Sequence, residues 1–263
     1  MIRKIYLLEL ILCICVVSCT NSSIEQPEGV RVVSLSPGIT ATVVDIGFSE
    51  FVVGRSSFCV AVDKNIPVVG DLAQVDYERL LRLAPTDVLV QSTSSGIDPH
   101  LKELAAAGHF SLHSWRVDRL SDIKLLYQDL SKLFGGRTIK LKLPIEVQQE
   151  QRKTSVLMMT LGSDGGTGLC FGRETYLGDI LELMGGNNAL KSDGWVKLSL
   201  EDIGELHPDL IVIVSDSMVP DSSLIAIRSL RIPITSFVHT DALIPSSKIV
   251  DVADALQQMV RME

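Results

Sequence analysis

One motif occurs twice in the chain. Val75-Asp76-Tyr77-Glu78-Arg79-Leu80-Leu81-Arg82-Leu83-Ala84-Pro85, then Asp87-Val88-Leu89-Val90, returns in the second half as Leu198-Ser199-Leu200-Glu201-Asp202-Ile203-Gly204-Glu205-Leu206-His207-Pro208, then Asp209-Leu210-Ile211-Val212. Thr86 is the one extra residue of the first copy. In each copy Asp or Ser can cap a short helix, Glu78 or Glu201 follows two positions later, and Pro then Asp lead into a β-branched strand. The spacing is far too wide for a solenoid repeat. It predicts two similar lobes, each displaying a carboxylate at the matching helix start.

With 263 residues, each lobe can bury a core of its own. Hydrophobic residues make up 46% and charged residues 21%, which fits a folded body. The net charge is −8 with no basic run, which argues against nucleic acid as a partner. The N-terminus has a different character. Arg3 and Lys4 precede an apolar run from Ile5 to Val17 that only Glu9 interrupts, too short to span a bilayer. Residues 1–18 therefore read as a secretory signal. Val16-Val17-Ser18-Cys19 resembles the lipobox of bacterial lipoproteins, which implies lipidation of Cys19 and an exported, membrane-anchored product. Residues 19–29 would then be a tether; an ordinary signal with an incidental Cys is the alternative. A single acyl chain holds a protein only marginally, and the lipoprotein resemblance implies several. Cleavage would leave Cys59 and Cys170 as the only thiols, in a compartment that permits disulfides. No CxxC or zinc-ligand spacing exists.

Strands are predicted at Arg31 to Leu35, Phe51 to Val53, Ile66 to Val69, Asp87 to Gln91 and Phe110 to Leu112. Helices are predicted from Pro37 to near Gly47, within the first motif copy, and from Pro99 to Ala107. This alternation argues for a parallel α/β lobe over residues 30–117. Leu120 to Phe134 has helical apolar spacing at Ile123, Leu126, Leu130 and Leu133. Gly135-Gly136 breaks it and a charged helix resumes from Arg137 to Lys153, with Pro144 starting, kinking or interrupting it. Residues 118–153 thus read as a stiff strut. Residues 154–263 repeat the order: a strand Ser155 to Leu161, a glycine-rich loop Gly162 to Gly172, a helix Tyr176 to Met184, the second motif copy, a helix near Ser223 to Leu230, a strand Ile234 to Phe237 and a last helix from Ser246.

Catalysis has little support. The loop Gly162-Ser163-Asp164-Gly165-Gly166-Thr167-Gly168 lacks the GxGxxG order, and no Walker motif exists. GxSxG and HExxH are absent. His207 reads as incidental, because Ala84 fills the same place in the other copy. Trp195, in a predicted loop after Asp193-Gly194, can offer a flat apolar face and one N–H to a ligand, or else cover the core. Trp115 reads as structural. Glu78 and Glu201 suit the positive end of a helix dipole, worth ~0.3–1 kcal/mol each. As a symmetric pair they would also fit a partner with two equivalent basic points, such as a homodimer.

Arg31-Val32-Val33-Ser34-Leu35-Ser36-Pro37-Gly38-Ile39-Thr40, Val52-Val53-Gly54, Val69-Gly70-Asp71 and Leu83-Ala84-Pro85-Thr86-Asp87 resemble the first lobe of the periplasmic solute-binding proteins of ABC importers for cobalamin, haem and ferric siderophores. Leu181-Glu182-Leu183-Met184-Gly185-Gly186-Asn187-Asn188, Trp195 and His207-Pro208-Asp209 resemble the second. The resemblance implies two Rossmann-like α/β lobes joined by a single long helix, with ligand held in the cleft between them. It implies a binding role without chemistry and without a cofactor or resident metal. It puts Glu78 and Glu201 on the paired glutamates that dock onto a dimeric permease with its ATPase. Phe58 falls on an aromatic cleft position and Trp195 on another, while Leu72 and Leu169 stand where further aromatics are common. Asp241 and Lys248 join the cleft set, Lys248 closing Ile244-Pro245-Ser246-Ser247-Lys248, where the family has Arg-Pro-Gly-Pro-Arg. Ile244 removes the first Arg of that pattern, a departure from the cobalamin-binding members. Cys59 and Cys170 would lie in loops aimed at the cleft, as a disulfide, as soft metal ligands or as two unrelated buried thiols.

The expected ligand is a corrinoid or a ferric chelate. Haem or a siderophore is the alternative, with Tyr176 or His239 as iron contacts. A cleft enzyme and a transporter-less surface lipoprotein are the readings from other classes.

Overall fold

The computed structural model describes residues 29–71, 73–93, 96–135, 142, 154–162 and 166–262. The first sheet holds β1 (Val32–Ser34), β2 (Val52–Arg55), β3 (Asp87–Gln91) and β4 (Ser111–Trp115) in the order β2-β1-β3-β4, all parallel. Its helices are α1 (Pro37–Asp45), α2 (Tyr77–Arg82) and α3 (Pro99–Ala106). After α4 (Leu120–Phe134) comes a second, separate sheet of β5 (Ser155–Leu161), β6 (Thr167–Phe171), β7 (Asn187–Asn188), β8 (Trp195–Lys197), β9 (Leu210–Ser215) and β10 (Ile234–Val238). Its main path runs β10-β9-β5-β6-β8, with β7 beside β5. The accompanying helices are α5 (Tyr176–Leu183), α6 (Leu200–Glu205), α7 (Ile225–Arg228) and α8 (Ile249–Met262).

The repeated motif folds the same way in both places. Asp76 caps α2 by accepting the Arg79 N–H, and Ser199 caps α6 by accepting the Asp202 N–H. Each helix gives way to a non-glycine residue in the left-handed region, Ala84 at φ 43° and His207 at φ 47°, directly before proline. A following proline disfavours helical backbone, so both copies turn sharply there into β3 or β9. His207 Nδ1 lies 2.7 Å from the Glu205 carbonyl oxygen and donates to it, a local contact in keeping with an incidental histidine.

The second lobe does not simply repeat the order of the first. The segment read as a glycine-rich loop up to Gly172 becomes β6 from Thr167 onward, antiparallel to β5, and β8 pairs antiparallel with β6. Gly168 explains the pairing: a Cβ there would sit 2.7 Å from the Thr160 carbonyl oxygen, so only glycine lets the strands approach. Trp195 accordingly lies in β8 rather than in a loop, and Leu169 and Cys170 lie in β6. In the first lobe, Ile66 to Val69 makes only an isolated bridge, Arg55 to Val68, instead of a strand. Pro67 has no N–H to extend a ladder.

Each sheet buries apolar residues on both faces, as βαβ crossovers require. Val32, Ile39, Val43 and Leu89 pack on one face of the first sheet, and Val33, Leu80, Val88 and Leu101 on the other. Met158, Phe171, Tyr176, Val212 and Val252 form one core of the second lobe, and Leu157, Met159, Ile203 and Ile213 the other. Helix α4 serves both lobes. Its first turn inserts Ile123 into the core of the second lobe, with Leu120 packed against it, while Leu126, Tyr127, Leu130 and Phe134 enter the first. At about 1.5–3 kcal/mol per fully buried large side chain, this split is a substantial tie. Gly135, left-handed at φ 73°, ends the helix. Apart from Lys142, the second half of the predicted strut lies outside the described residues, as do Cys19, the signal segment and most of the tether.

Candidate functional site

Open parallel sheets hold ligands outside the carboxyl ends of their strands. Here those ends meet where the lobes touch. Just past β1, Gly38 abuts the loop after β10 so closely that an added Cβ would overlap the Pro245 carbonyl oxygen. Asp45, the last residue of α1, accepts a hydrogen bond from Ser247 and lies 3.6 Å from Lys248 Nζ. Past β4, Arg119 donates to Asp179 of α5 at 2.7 Å, and the Leu120 N–H donates to the same carboxylate at 3.0 Å. Glu174 stands 3.4 Å from the Arg119 guanidinium. A carboxylate of the second lobe thus helps cap the helix shared with the first. The hydrogen bond and charge of Asp179 raise the Arg119 pKa.

On the first lobe a buried hydroxyl–thiol cluster shapes the rim. Thr40 Oγ1 lies 2.7 Å from Ser34 Oγ, 2.8 Å from the Ser36 carbonyl oxygen and 3.0 Å from Cys59 Sγ. Ser56 Oγ accepts the Phe58 N–H at 3.0 Å. The turn after β2 is therefore pinned at Ser56 and Cys59, and Phe58 between them is left 63% exposed. Val60 follows it outward. On the second lobe, Met218 after β9 and Leu243 after β10 are also exposed. Isolated exposed apolar side chains are common; these four stand out because each follows the carboxyl end of a parallel strand, where such sheets hold ligands. Leu169, 45% exposed, adds to the apolar surface of the second lobe.

The remaining expected residues are distributed differently. Tyr176 is fully buried, and its hydroxyl donates to the Ala242 carbonyl oxygen at 2.8 Å. Burial pushes its pKa far up, so this residue supports the loop after β10 from beneath rather than facing iron. Trp195 packs on Phe171 and Tyr176, with ring centroids 4.6 and 5.6 Å away, and keeps only part of its surface for solvent. Lys248 is committed to Asp45 at the lobe contact. Leu72 lies outside the described residues. Cys59 and Cys170 are both buried and free, the third of the options open at the sequence level; burial pushes the Cys170 thiol up to about 11. Trp115 donates its indole N–H to Asp129 of α4 at 3.3 Å, a structural role.

His239, just past β10, has the chemistry of an iron contact. Its ring stacks on Phe237 at 6.3 Å and 14°, and Nδ1 accepts the Asp241 N–H at 3.1 Å. In the neutral ring Nε2 then carries the proton. The Asp241 carboxylate lies 3.9 Å from Nδ1, beyond hydrogen-bond reach, so the Asp241 N–H alone holds that nitrogen. Sequence spacing missed Asp45, Arg119 and Asp179 altogether, since each meets a partner far along the chain. Among the described residues no cluster of three metal-ligating side chains exists.

Comparison with known proteins fits this geometry. Residues 142–228 match the family model described as periplasmic binding protein. The "High-affinity heme uptake system protein IsdE" of Staphylococcus aureus is 22% identical over 221 residues, covering 76% of this chain and 73% of that protein. A "Periplasmic Heme Binding Protein from Pseudomonas aeruginosa" superposes with a TM-score of 0.65 at 20% identity, over 87% of this chain and 91% of that one. The "periplasmic Vitamin B12 binding protein BtuF of Vibrio cholerae" gives 0.60 at 16% identity, over 88% and 96%. The matching family segment and the common fold agree with the resemblance drawn from the sequence: this chain has the fold of the periplasmic binding proteins.

Proposed function

We propose that the protein is the substrate-binding component of an ABC importer, a receptor and not an enzyme, that takes a metal chelate of the haem, corrinoid or siderophore type into the cleft between its lobes. The observation that carries this reading is the set of apolar side chains exposed past strand ends on both lobes: Phe58, Val60, Met218 and Leu243. A large ligand with apolar faces would cover them, and their burial would drive binding. The names of the relatives, two for haem and one for vitamin B12, support the same chemical class. Leu169 and the partly open edge of Trp195 extend the contact surface, with Asp241 beside His239 at its edge. The imidazole of His239, partly exposed just past β10, favours haem within the class. Cys19 would anchor the exported protein to a membrane, and Glu78 and Glu201 would meet the permease.

Titration of the purified protein with haemin, cyanocobalamin and a ferric hydroxamate, followed by Trp fluorescence, tests the reading. Phe58→Asp together with Met218→Asp should weaken the ligand that binds by about tenfold or more, because two charges would enter an apolar contact. Unchanged affinity in that variant would remove the cleft from consideration.

A further inference from the structure

The two motif copies differ in a systematic way around the short helices that carry Glu78 and Glu201. Both glutamates occupy the second position of their helix and both are exposed. At the next equivalent position the first copy has Arg79 and the second Asp202; at the last, the first has Arg82 and the second Glu205. Two cations in one lobe are matched by two anions in the other. The consequence is visible in the pairing. Glu78 is held by Arg82 one helical turn on, and Arg79 sits 3.6 Å from Asp76. The surface of α2 and its cap therefore cancels its own charge. On α6, Asp202 turns back to its cap Ser199, and the helix has no basic residue in its last turn. Glu201 forms no ion pair among the described residues.

Resting on the docking role given above, we propose that the two faces meet chemically different surfaces. The partner is basic opposite α6, and opposite α2 it presents carboxylates as well as cations, receiving Arg79 and Arg82. The protein then docks in one orientation only. A partner with two identical basic faces would be attracted by α6 and nearly indifferent to α2, since exposed ion pairs already formed return little on exchange. Like charges brought face to face are disfavoured strongly, which is what makes the wrong orientation unproductive.

The test is binding of the full-length protein, with and without added haemin, to the permease–ATPase complex of its own transport system in nanodiscs, at low and moderate salt. Glu201→Arg should weaken binding by about tenfold or more and reduce its salt dependence. Glu78→Arg should weaken it by less than about threefold. Arg79→Asp with Arg82→Glu, which gives α2 the charges of α6, should also weaken binding. Circular dichroism and ligand affinity, unchanged in all three, establish folding, and Glu201→Gln provides a milder form of the key variant. Equal losses for Glu78→Arg and Glu201→Arg, or tighter binding by the double variant, would overturn the unequal faces while leaving docking intact. No change in any variant would instead remove the docking role of this surface itself.

Discussion

Replacing Asp179 with alanine should loosen the junction of the two lobes. Its side chain, 12% exposed, accepts from Arg119 and from the Leu120 N–H. A hydrogen bond to a charged group contributes about 1.5–3 kcal/mol, and loss of a helix cap costs about 0.5–2 kcal/mol. Arg119 is 41% exposed, so water recovers part of its loss. The two contributions share one carboxylate and do not simply add. A net cost of about 2–3 kcal/mol follows, which lowers the melting temperature of a chain this size by about 5–10 °C. Asp179→Asn, which keeps an acceptor for Leu120, should lose about half as much. Asp193→Ala breaks an ion pair whose side chains are both more than half exposed, and should cost under about 1 kcal/mol. Thermal unfolding followed by circular dichroism measures these shifts. Single-Trp forms retaining Trp115 in the first lobe or Trp195 in the second report each lobe separately. Their transitions should coincide in the parent protein and separate in Asp179→Ala. A midpoint for Asp179→Ala no lower than that of Asp193→Ala would refute the assignment of the junction.

Gly38→Ala should destabilise by about 1–3 kcal/mol through overlap with the Pro245 carbonyl, and should weaken ligand binding as the lobes shift; denaturant titration and ligand titration measure the two effects. Stability should fall off at both ends of the pH scale. Asp98, hydrogen-bonded by Tyr77, and Asp87, hydrogen-bonded by His113 and Thr86 against the opposing effect of burial, both have lowered pKa values, so their contribution is present above the ordinary carboxylate range and is lost as pH falls below it. Tyr77, raised to about 12 by burial and by Asp98, contributes fully below pH ~10 and loses its contribution as pH rises further; Tyr77→Phe should flatten the alkaline limb of a urea-stability profile. Cys19→Ala should move the protein from the membrane to the soluble fraction on cell fractionation, and retention at the membrane would reject lipidation of Cys19.

Legibility in the sequence followed the range of the interactions. The motif copies could be read because everything that shapes them is local: caps at Asp76 and Ser199, a left-handed residue before Pro85 and Pro208, then a β-branched strand. α4 was predicted with its observed bounds because Ile123, Leu126 and Leu130 keep helical spacing and Gly135 ends it. The β5–β6 hairpin is not legible because the reason for it is the closeness of Thr160 to Gly168, invisible in a run of glycines that reads as a loop. Tyr176 was misjudged for a related cause. An aromatic at a helix start looks available until the fold brings the Ala242 carbonyl to its hydroxyl. The lobe junction was beyond reach, since Asp45 meets Ser247 and Lys248 from the other end of the chain with no spacing rule to connect them. Phe58 was legible as a candidate, but its exposure depends on how Cys59 and Thr40 pin the turn.

Equilibrium dialysis of the purified protein against haemin, cyanocobalamin and a ferric hydroxamate, with the bound molecule then extracted and weighed by mass spectrometry, bears most directly on the claim of capture without chemistry. One of these chelates should be retained at one molecule per chain and recovered unaltered. Retention of none of them, or recovery of a chemically changed molecule, would contradict it.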